Sequence, residues 1–325
     1  MIADSPLDFI FRELFYRLPA YAGASDVYLK MEGFSVSGSI KVKTAMGLVE
    51  DLERRGAARP GRTTIVESSS GNLGIALSIV CGIKGYRFVC VTDPDTTGAN
   101  ILGMRAYGAE VIVVDRRDEN GGYLGTRFAR IREILAADPD AVWLDQSANP
   151  ANKAVHARET AEEILAAFPA PDWLFLATGT TGTFVGCAET MRLRSPRTRI
   201  VAVEPEGSVT FEGSKAARRN IPGIGSSRRP GLVRPELADA VLHIDEASTV
   251  RTCRDFVRHH HLLIGGSTGS VLAGVRRMSH RFRPGETIVA ISPDLGDKYL
   301  DSVYDDAWVA ERIGPVEPPR DEAAS

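Results

Sequence analysis

Residues 63–84 read TTIVESSSGNLGIALSIVCGIK, and the stretch changes character twice. Residues 63–67 are rich in β-branched side chains, which favour a pleated strand. Residues 68–74 are Ser, Gly and Asn, with turn and helix-cap chemistry. From Asn72 the chain predicts a helix to Lys84. The unit is strand, small polar loop, helix.

The unit recurs. Strands are predicted at 87–92 (RFVCVT), 110–115 (EVIVVD), 141–146 (AVWLDQ), 172–177 (DWLFLA), 199–205, 240–244 and 287–292. Helices are predicted at 99–108, 121–137, 152–168 and 184–194, around 249–259, and after the loop at 265–270. In the second of these, Leu124, Phe128, Ile131 and Leu135 share one face. Such repetition with apolar strands predicts an α/β fold with parallel sheets covered on both faces. Ligands then sit beyond the carboxyl ends of the strands, where the small polar loops gather. The strand count suits two sheets with a pocket in the cleft between them.

The bulk properties agree. A chain of 325 residues suits about two domains, and 43% hydrophobic with 25% charged residues is ordinary for a globular protein. A formal charge of −3 gives no basic surface for nucleic acid, so any anion must be recognised locally. Cys81, Cys90, Cys187 and Cys253 form no CxxC pair and are expected as buried free thiols in a reducing cytoplasm. The N-terminus lacks the pattern of a signal peptide, and no apolar run reaches about 18 residues, so no membrane span is expected. Residues 314–325 (GPVEPPRDEAAS) are expected to be a loose tail.

Four loops are candidates for chemistry. Residues 177–183 (ATGTTGT) join a strand to a helix and suit a phosphate cup of converging N–H groups and threonine hydroxyls; a capped turn is the plainer alternative. Residues 68–74 suit a carboxylate at a helix N-terminus, or only an N-cap. Residues 265–270 (GGSTGS) carry the same two readings. Residues 38–43 (GSIKVK) put Lys41 and Lys43 at the start of a helix, where the dipole disfavours a cation and depresses an amine pKa. Spacing alone does not choose between the two lysines, and solvated lysines are the default. His259–His261 read as a polar helix end, and His156 has no ligand partner at helical spacing, so no metal site is expected. The sequence lacks the GxGxxG of a nicotinamide-binding fold and the GK[ST] of a P-loop.

Taken together and in order, these loops resemble the fold-type II pyridoxal-phosphate (PLP) family of cysteine synthases and cystathionine β-synthase, from about residue 20 to about residue 305. Ser39-Ile40-Lys41 matches the segment of the Schiff-base lysine, and Ser70-Gly71-Asn72-Leu73-Gly74 matches the substrate loop. The resemblance implies a tryptophan synthase β-like fold of two three-layer αβα domains with the cofactor in the cleft. It implies a smaller, mobile substrate-binding domain at 40–150, and a larger cofactor-binding domain from 1–39 and 151–325. It makes Lys41 the cofactor-bearing catalytic residue, with Asn72 at the ring oxygen, Ser267 at the ring nitrogen, and Gly179, Thr180, Thr181, Gly182 and Thr183 at the phosphate. Ser69, Ser70 and Gln146 would hold the substrate carboxylate. A neutral serine at the ring nitrogen favours loss of a β-substituent over transamination.

Two departures stand out. Leu73 replaces the usual threonine, and Ser35-Val36 replaces the usual Asn-Pro. The stretches at 68–85, 120–131 (NGGYLGTRFARI), 222–230 (PGIGSSRRP), 265–270 and 293–308 (PDLGDKYLDSVYDDAW) are most similar to the family branch that forms L-2,3-diaminopropionate for siderophores and peptide antibiotics. That branch implies β-replacement joining O-phospho-L-serine and L-glutamate into N-(2-amino-2-carboxyethyl)-L-glutamate. An O-acetylserine or O-phosphoserine sulfhydrylase is the alternative. Two anionic substrates need cations, and Arg127 and Arg228 are the candidates, with Arg229 as substitute for the latter. Gly223 joins the expected substrate-binding residues. The family also implies a homodimer acting on amino acids.

Overall fold

The computed structural model describes residues 3–23, 25–119, 121–211 and 216–316; the expected tail lies, from residue 317, outside the described residues. The chain begins with strands β1 (Phe15–Ala22) and β2 (Ser25–Met31). It then alternates through α1 (Lys41–Arg54), β3 (Thr64–Ser68), α2 (Asn72–Lys84), β4 (Arg87–Thr92), α3 (Gly98–Ala106), β5 (Glu110–Val113), α4 (Leu124–Ala137) and β6 (Ala141–Trp143). Helix α5 (Pro150–His156) passes through a π-helical turn (Ala157–Ala161) into α6 (Glu162–Ala167). The chain continues with β7 (Trp173–Ala177), α7 (Gly182–Arg194), β8 (Arg199–Pro205), β9 (Ala240–Ile244), α8 (Glu246–His260), α9 (Gly266–Arg277), β10 (Thr287–Ser292) and α10 (Asp306–Arg312).

The strands form two sheets, β1-β2-β10-β7-β8-β9 and β5-β4-β3-β6. All pairings are parallel except β1 with β2. The expectation of purely parallel sheets is thus corrected at one edge. Strand β1 holds Pro19, which cannot donate to a ladder, and its register shifts between Leu18 and Ala22. An edge is where a sheet tolerates proline.

Each sheet is buried on both faces by the period-two alternation of its strands. In the larger sheet, Phe175, Val201, Val203, Ile288 and Ala290 pack against residues of α8 and α9, such as Val250 and Leu272. Their neighbours Leu174, Leu176, Ile200, Ala202, Val289 and Ile291 pack against residues of α6 and α7, such as Ile164 and Phe184. In the smaller sheet, Ile65, Phe88 and Cys90 face residues of α1 and α2. Val66, Val89 and Val91 face Ile131 and Phe128 of α4. Both units therefore have three layers, as the resemblance implies. The four cysteines are free and buried. No described helix is long and apolar enough to cross a membrane.

A buried ion cluster fixes α1 to the larger unit. Lys43 Nζ lies 2.9 Å from Glu32 Oε1 and 2.6 Å from Glu163 Oε2, and Lys30 Nζ lies 2.8 Å from the same Glu163 oxygen. Burial works against the charge on Lys43, yet Glu32 and Glu163 more than offset it and hold its pKa above the ordinary lysine value. Two cations and two carboxylates thus join the β2 end, α1 and α6. Removing one member leaves an uncompensated charge in a dry site, so Lys43→Ala should lower the unfolding free energy by about 3–5 kcal/mol. Lys41→Ala should change it by less than about 1 kcal/mol. Urea denaturation of both variants compares the two lysines; equal losses would remove the cluster's anchoring role.

Candidate active site

The loops after β3, β6, β7, β8 and β10, with the start of α1, line one cavity of about 420 Å³. Lys41, Ser69, Ser70, Asn72, Arg127, Gln146, Gly223 and Ser267 all reach it, as does the whole loop from Gly179 to Thr183. Arg228 does not line it. The Arg228 guanidinium lies over the Phe128 ring, 4.4 Å from the centroid, so this arginine sits behind a cavity residue.

The loop after β7 is shaped for an anion. Thr181 takes a left-handed conformation at φ 66°, which a β-branched residue rarely adopts and which costs about 1–3 kcal/mol. The twist leads into the N-terminus of α7, where free N–H groups and the helix dipole favour negative charge. The Thr181 hydroxyl is buried without a hydrogen-bond partner. Position 182 requires glycine, because a Cβ there would lie 2.2 Å from Asn152 Oδ1. Helix α5 supports the loop: Asn152 Nδ2 donates to Thr180 Oγ1 at 3.2 Å, and His156 Nε2 pairs with Thr183 Oγ1 at 3.2 Å and Thr44 Oγ1 at 3.0 Å. Burial pushes the His156 pKa well below its usual value, so it acts as a neutral internal partner.

The structure separates the two lysines that spacing left open. Two helical residues subtend roughly 200°, so Lys41 and Lys43 point to opposite sides. Lys43 enters the ion cluster, whereas the exposed part of Lys41 faces the cavity. Burial lowers the Lys41 pKa, and Asp294 only partly counters this. A primary amine held toward its neutral form is a competent nucleophile and base.

The opposite wall comes from the smaller sheet. Ser69 Oγ accepts from the N–H groups of Gly71 and Gly74, closing the loop after β3 on itself. Gln146 Nε2 donates to the Ser68 carbonyl at 3.3 Å. Arg127, in the first turn of α4, lies 3.3 Å from Asp93 Oδ2 through Nη1. Its Nε and Nη1 are buried with no hydrogen-bond partner, as is the Ser68 hydroxyl. Unmet donors in a cavity wall are unusual in a finished interior and suit an anionic ligand.

Several site residues escaped the sequence reading. Glu67 lines the cavity, accepting from the Ser68 and Gln146 backbone N–H groups and from the Trp143 indole. Asp294, Lys298 and Tyr299 also line it; they lie in the 293–308 stretch, which entered only as a resemblance. The histidine run is a helix end: His260 closes α8, and His261 caps it at φ 52°. Among the described residues, no group of His, Cys, Asp and Glu could hold a metal ion.

These features fit pyridoxal phosphate. The Thr181 hydroxyl and the α7 N-terminus suit its phosphate, Lys41 its aldehyde, and Ser267, at the N-terminus of α9, its ring nitrogen. The family model described as "Pyridoxal-phosphate dependent enzyme" matches residues 9–294. The chain is 42% identical over 287 residues to an N-(2-amino-2-carboxyethyl)-L-glutamate synthase of Ralstonia nicotianae, covering 88% of this chain and 84% of the relative. A protein of the same name from Cupriavidus metallidurans is 40% identical over 314 residues, covering 95% and 89%. The solved structure of O-ureido-L-serine synthase superposes with a TM-score of 0.85 at 32% identity, covering 95% of this chain and all of that one.

Glu67 offers a pH test of this geometry. Burial raises its pKa from the usual 4.5 to about 7, opposed by its three N–H donors. The folded protein therefore binds this proton more tightly than the unfolded chain, and the associated stability is lost as pH rises through the folded value. Between about pH 5 and about pH 8, wild type should lose about 2–3 kcal/mol relative to Glu67→Gln. Urea denaturation of both proteins at each pH measures the difference; a constant gap would show that Glu67 does not titrate in that range.

Proposed function

The chain belongs to the family of pyridoxal-phosphate dependent enzymes, and on that premise we propose that it joins O-phospho-L-serine and L-glutamate. The products are N-(2-amino-2-carboxyethyl)-L-glutamate and phosphate, a step toward L-2,3-diaminopropionate for a siderophore or peptide antibiotic. The single observation that carries this beyond the family is Arg127, a largely buried guanidinium in the cavity wall that has Asp93 on Nη1 but no partner for Nε. A second anionic substrate needs such a group, and sulfide does not. The two relatives of that name, at 40–42% identity, support the same reading.

Gly179, Thr180, Thr181, Gly182 and Thr183 would hold the cofactor phosphate, Asn72 the ring oxygen and Ser267 the ring nitrogen. Bound there, the cofactor supplies an electron sink for the Cα–H bond of an amino acid. Ser69, Ser70 and Gln146 hold the carboxylate of phosphoserine. Lys41 would hold the cofactor aldehyde and, when its amine is free, would take the Cα proton as general base. Phosphate departs from Cβ with the bonding pair, and the glutamate amine forms the new N–Cβ bond. Lys41 then returns a proton to Cα. Arg127 binds the phosphate or the glutamate carboxylate, and Arg228, stacked on Phe128, backs the cavity wall from outside.

The unit of residues 40–150 is then the smaller, mobile part that carries the substrate loop, against a larger cofactor-binding part. The working form is a homodimer in the cytoplasm, where four reduced thiols persist.

Protein loaded with pyridoxal phosphate should release phosphate from O-phospho-L-serine at a sustained rate only when L-glutamate is added, with the joined product visible by mass spectrometry. Faster turnover with sulfide than with glutamate would replace this reading with a sulfhydrylase. Arg127→Ala should raise KM for one anionic substrate roughly ten- to a hundred-fold, as expected for a lost charge-assisted hydrogen bond. Steady-state kinetics with each substrate varied in turn identifies which.

A further inference from the structure

The Asn72 side chain is held at both ends by groups of opposite kind. Its Nδ2 donates to Asp294 Oδ2 at 2.7 Å, and its Oδ1 accepts from Lys298 Nζ at 2.8 Å. Tyr299 donates its hydroxyl to the same Asp294 oxygen. Lys298 Nζ also donates to the Ser37 carbonyl at 3.0 Å. Position 38 leaves room for this approach: Gly38 stands at φ 65°, and a Cβ there would lie 3.2 Å from the Lys298 amine. Asn72 opens α2 on the smaller unit, whereas Asp294, Lys298 and Tyr299 follow β10 on the larger one.

An amide can rotate by half a turn and exchange its donor for its acceptor. Here the exchange would set an N–H against an ammonium and a carbonyl against a carboxylate. Burial lowers the Lys298 pKa and raises that of Asp294. The backbone carbonyl and Asn72 Oδ1 at the amine, and two donors at the carboxylate, favour the charged pair. Only one amide orientation survives, the one with Oδ1 turned to Lys298 and Nδ2 to Asp294. The second N–H of Nδ2 is then the group left for a ligand.

We propose that Lys298 is a positioning residue, which with Asp294 locks the Asn72 amide so that its free N–H meets the cofactor's ring oxygen. The proposal rests on the reading that Asn72 contacts that oxygen. Lys298 itself touches no reacting atom.

The test uses apoprotein titrated with pyridoxal phosphate and followed by visible absorbance. Lys298→Met should weaken cofactor binding roughly ten- to a hundred-fold and alter the pH dependence of the bound cofactor's visible band. Lys298→Arg, which restores a cation, should recover most of both. In an Asn72→Ala background, Lys298→Met should add little, because the two act through one contact. Where Lys298→Met does not fold, the isosteric Asp294→Asn reads the same clamp from its other end, with a loss in the same direction. Unchanged affinity and band in Lys298→Met or Asp294→Asn, beside a clear loss in Asn72→Ala, would overturn the clamp and leave the role of Asn72 intact. No loss in Asn72→Ala would overturn both.

Discussion

Two ammonium groups enter the interior from the first turn of α1, and the fold neutralises only one by direct contact. Lys43 meets two carboxylates, Lys30 completes a buried set of four, and the half-exposed Arg12 reaches Glu163 from outside at 3.5 Å. At an effective dielectric of about 20, a pair near 3 Å gains roughly 5 kcal/mol, comparable with the several kcal/mol that desolvating each ion costs. The cluster therefore binds its four parents together without great net gain, and its value is geometric. It fixes the rotation of α1 about its axis. With that rotation fixed, Lys41 must face the cavity, where burial outweighs the opposing charge of Asp294 and drives it toward the neutral amine.

The cavity wall is an assembly of unsatisfied groups. The Ser68 and Thr181 hydroxyls, Arg127 Nε and Asp294 Oδ1 are all buried and unpartnered, and Arg127 Nη1 has only the Asp93 carboxylate at 3.3 Å. Thr181 adds backbone strain. Such groups persist only because the cores on both faces of each sheet over-determine their positions. A ligand that supplies the missing partners binds the folded state alone, and so raises its stability by mass action.

The strand-loop-helix order was legible because apolar runs and small-residue loops are local signals. The loops from Gly179 to Thr183 and around Asn72 were legible for the same reason. What local pattern could not give was pairing at a distance. Lys41 and Lys43 are indistinguishable in sequence because Glu163, the partner that sorts them, lies on α6. Strand β1 was missed because Pro19 interrupts its alternation, which only an edge position tolerates. The helix read as continuous from 152 to 168 contains a π turn at Ala157–Ala161, which has no signature in residue type. Arg228 was placed at the site by its motif, but the fold sets it behind Phe128.

The order of strands also bears on how the chain is made. The smaller sheet draws all four strands from one unbroken stretch, β3 to β6, and can close its ladders as soon as that stretch leaves the ribosome. The larger sheet cannot. Its interior strand β10, inserted between β2 and β7, is nearly the last to be synthesised. Until then β2 offers an unpaired edge, and its hairpin with β1 waits beside a gap. Non-local closure of this kind is slow and leaves strand edges open to wrong partners. The smaller sheet can therefore pair before synthesis ends, whereas the larger sheet must wait for β10. The loop that follows β10 brings Asp294 and Lys298 to Asn72, so the cavity is completed only then.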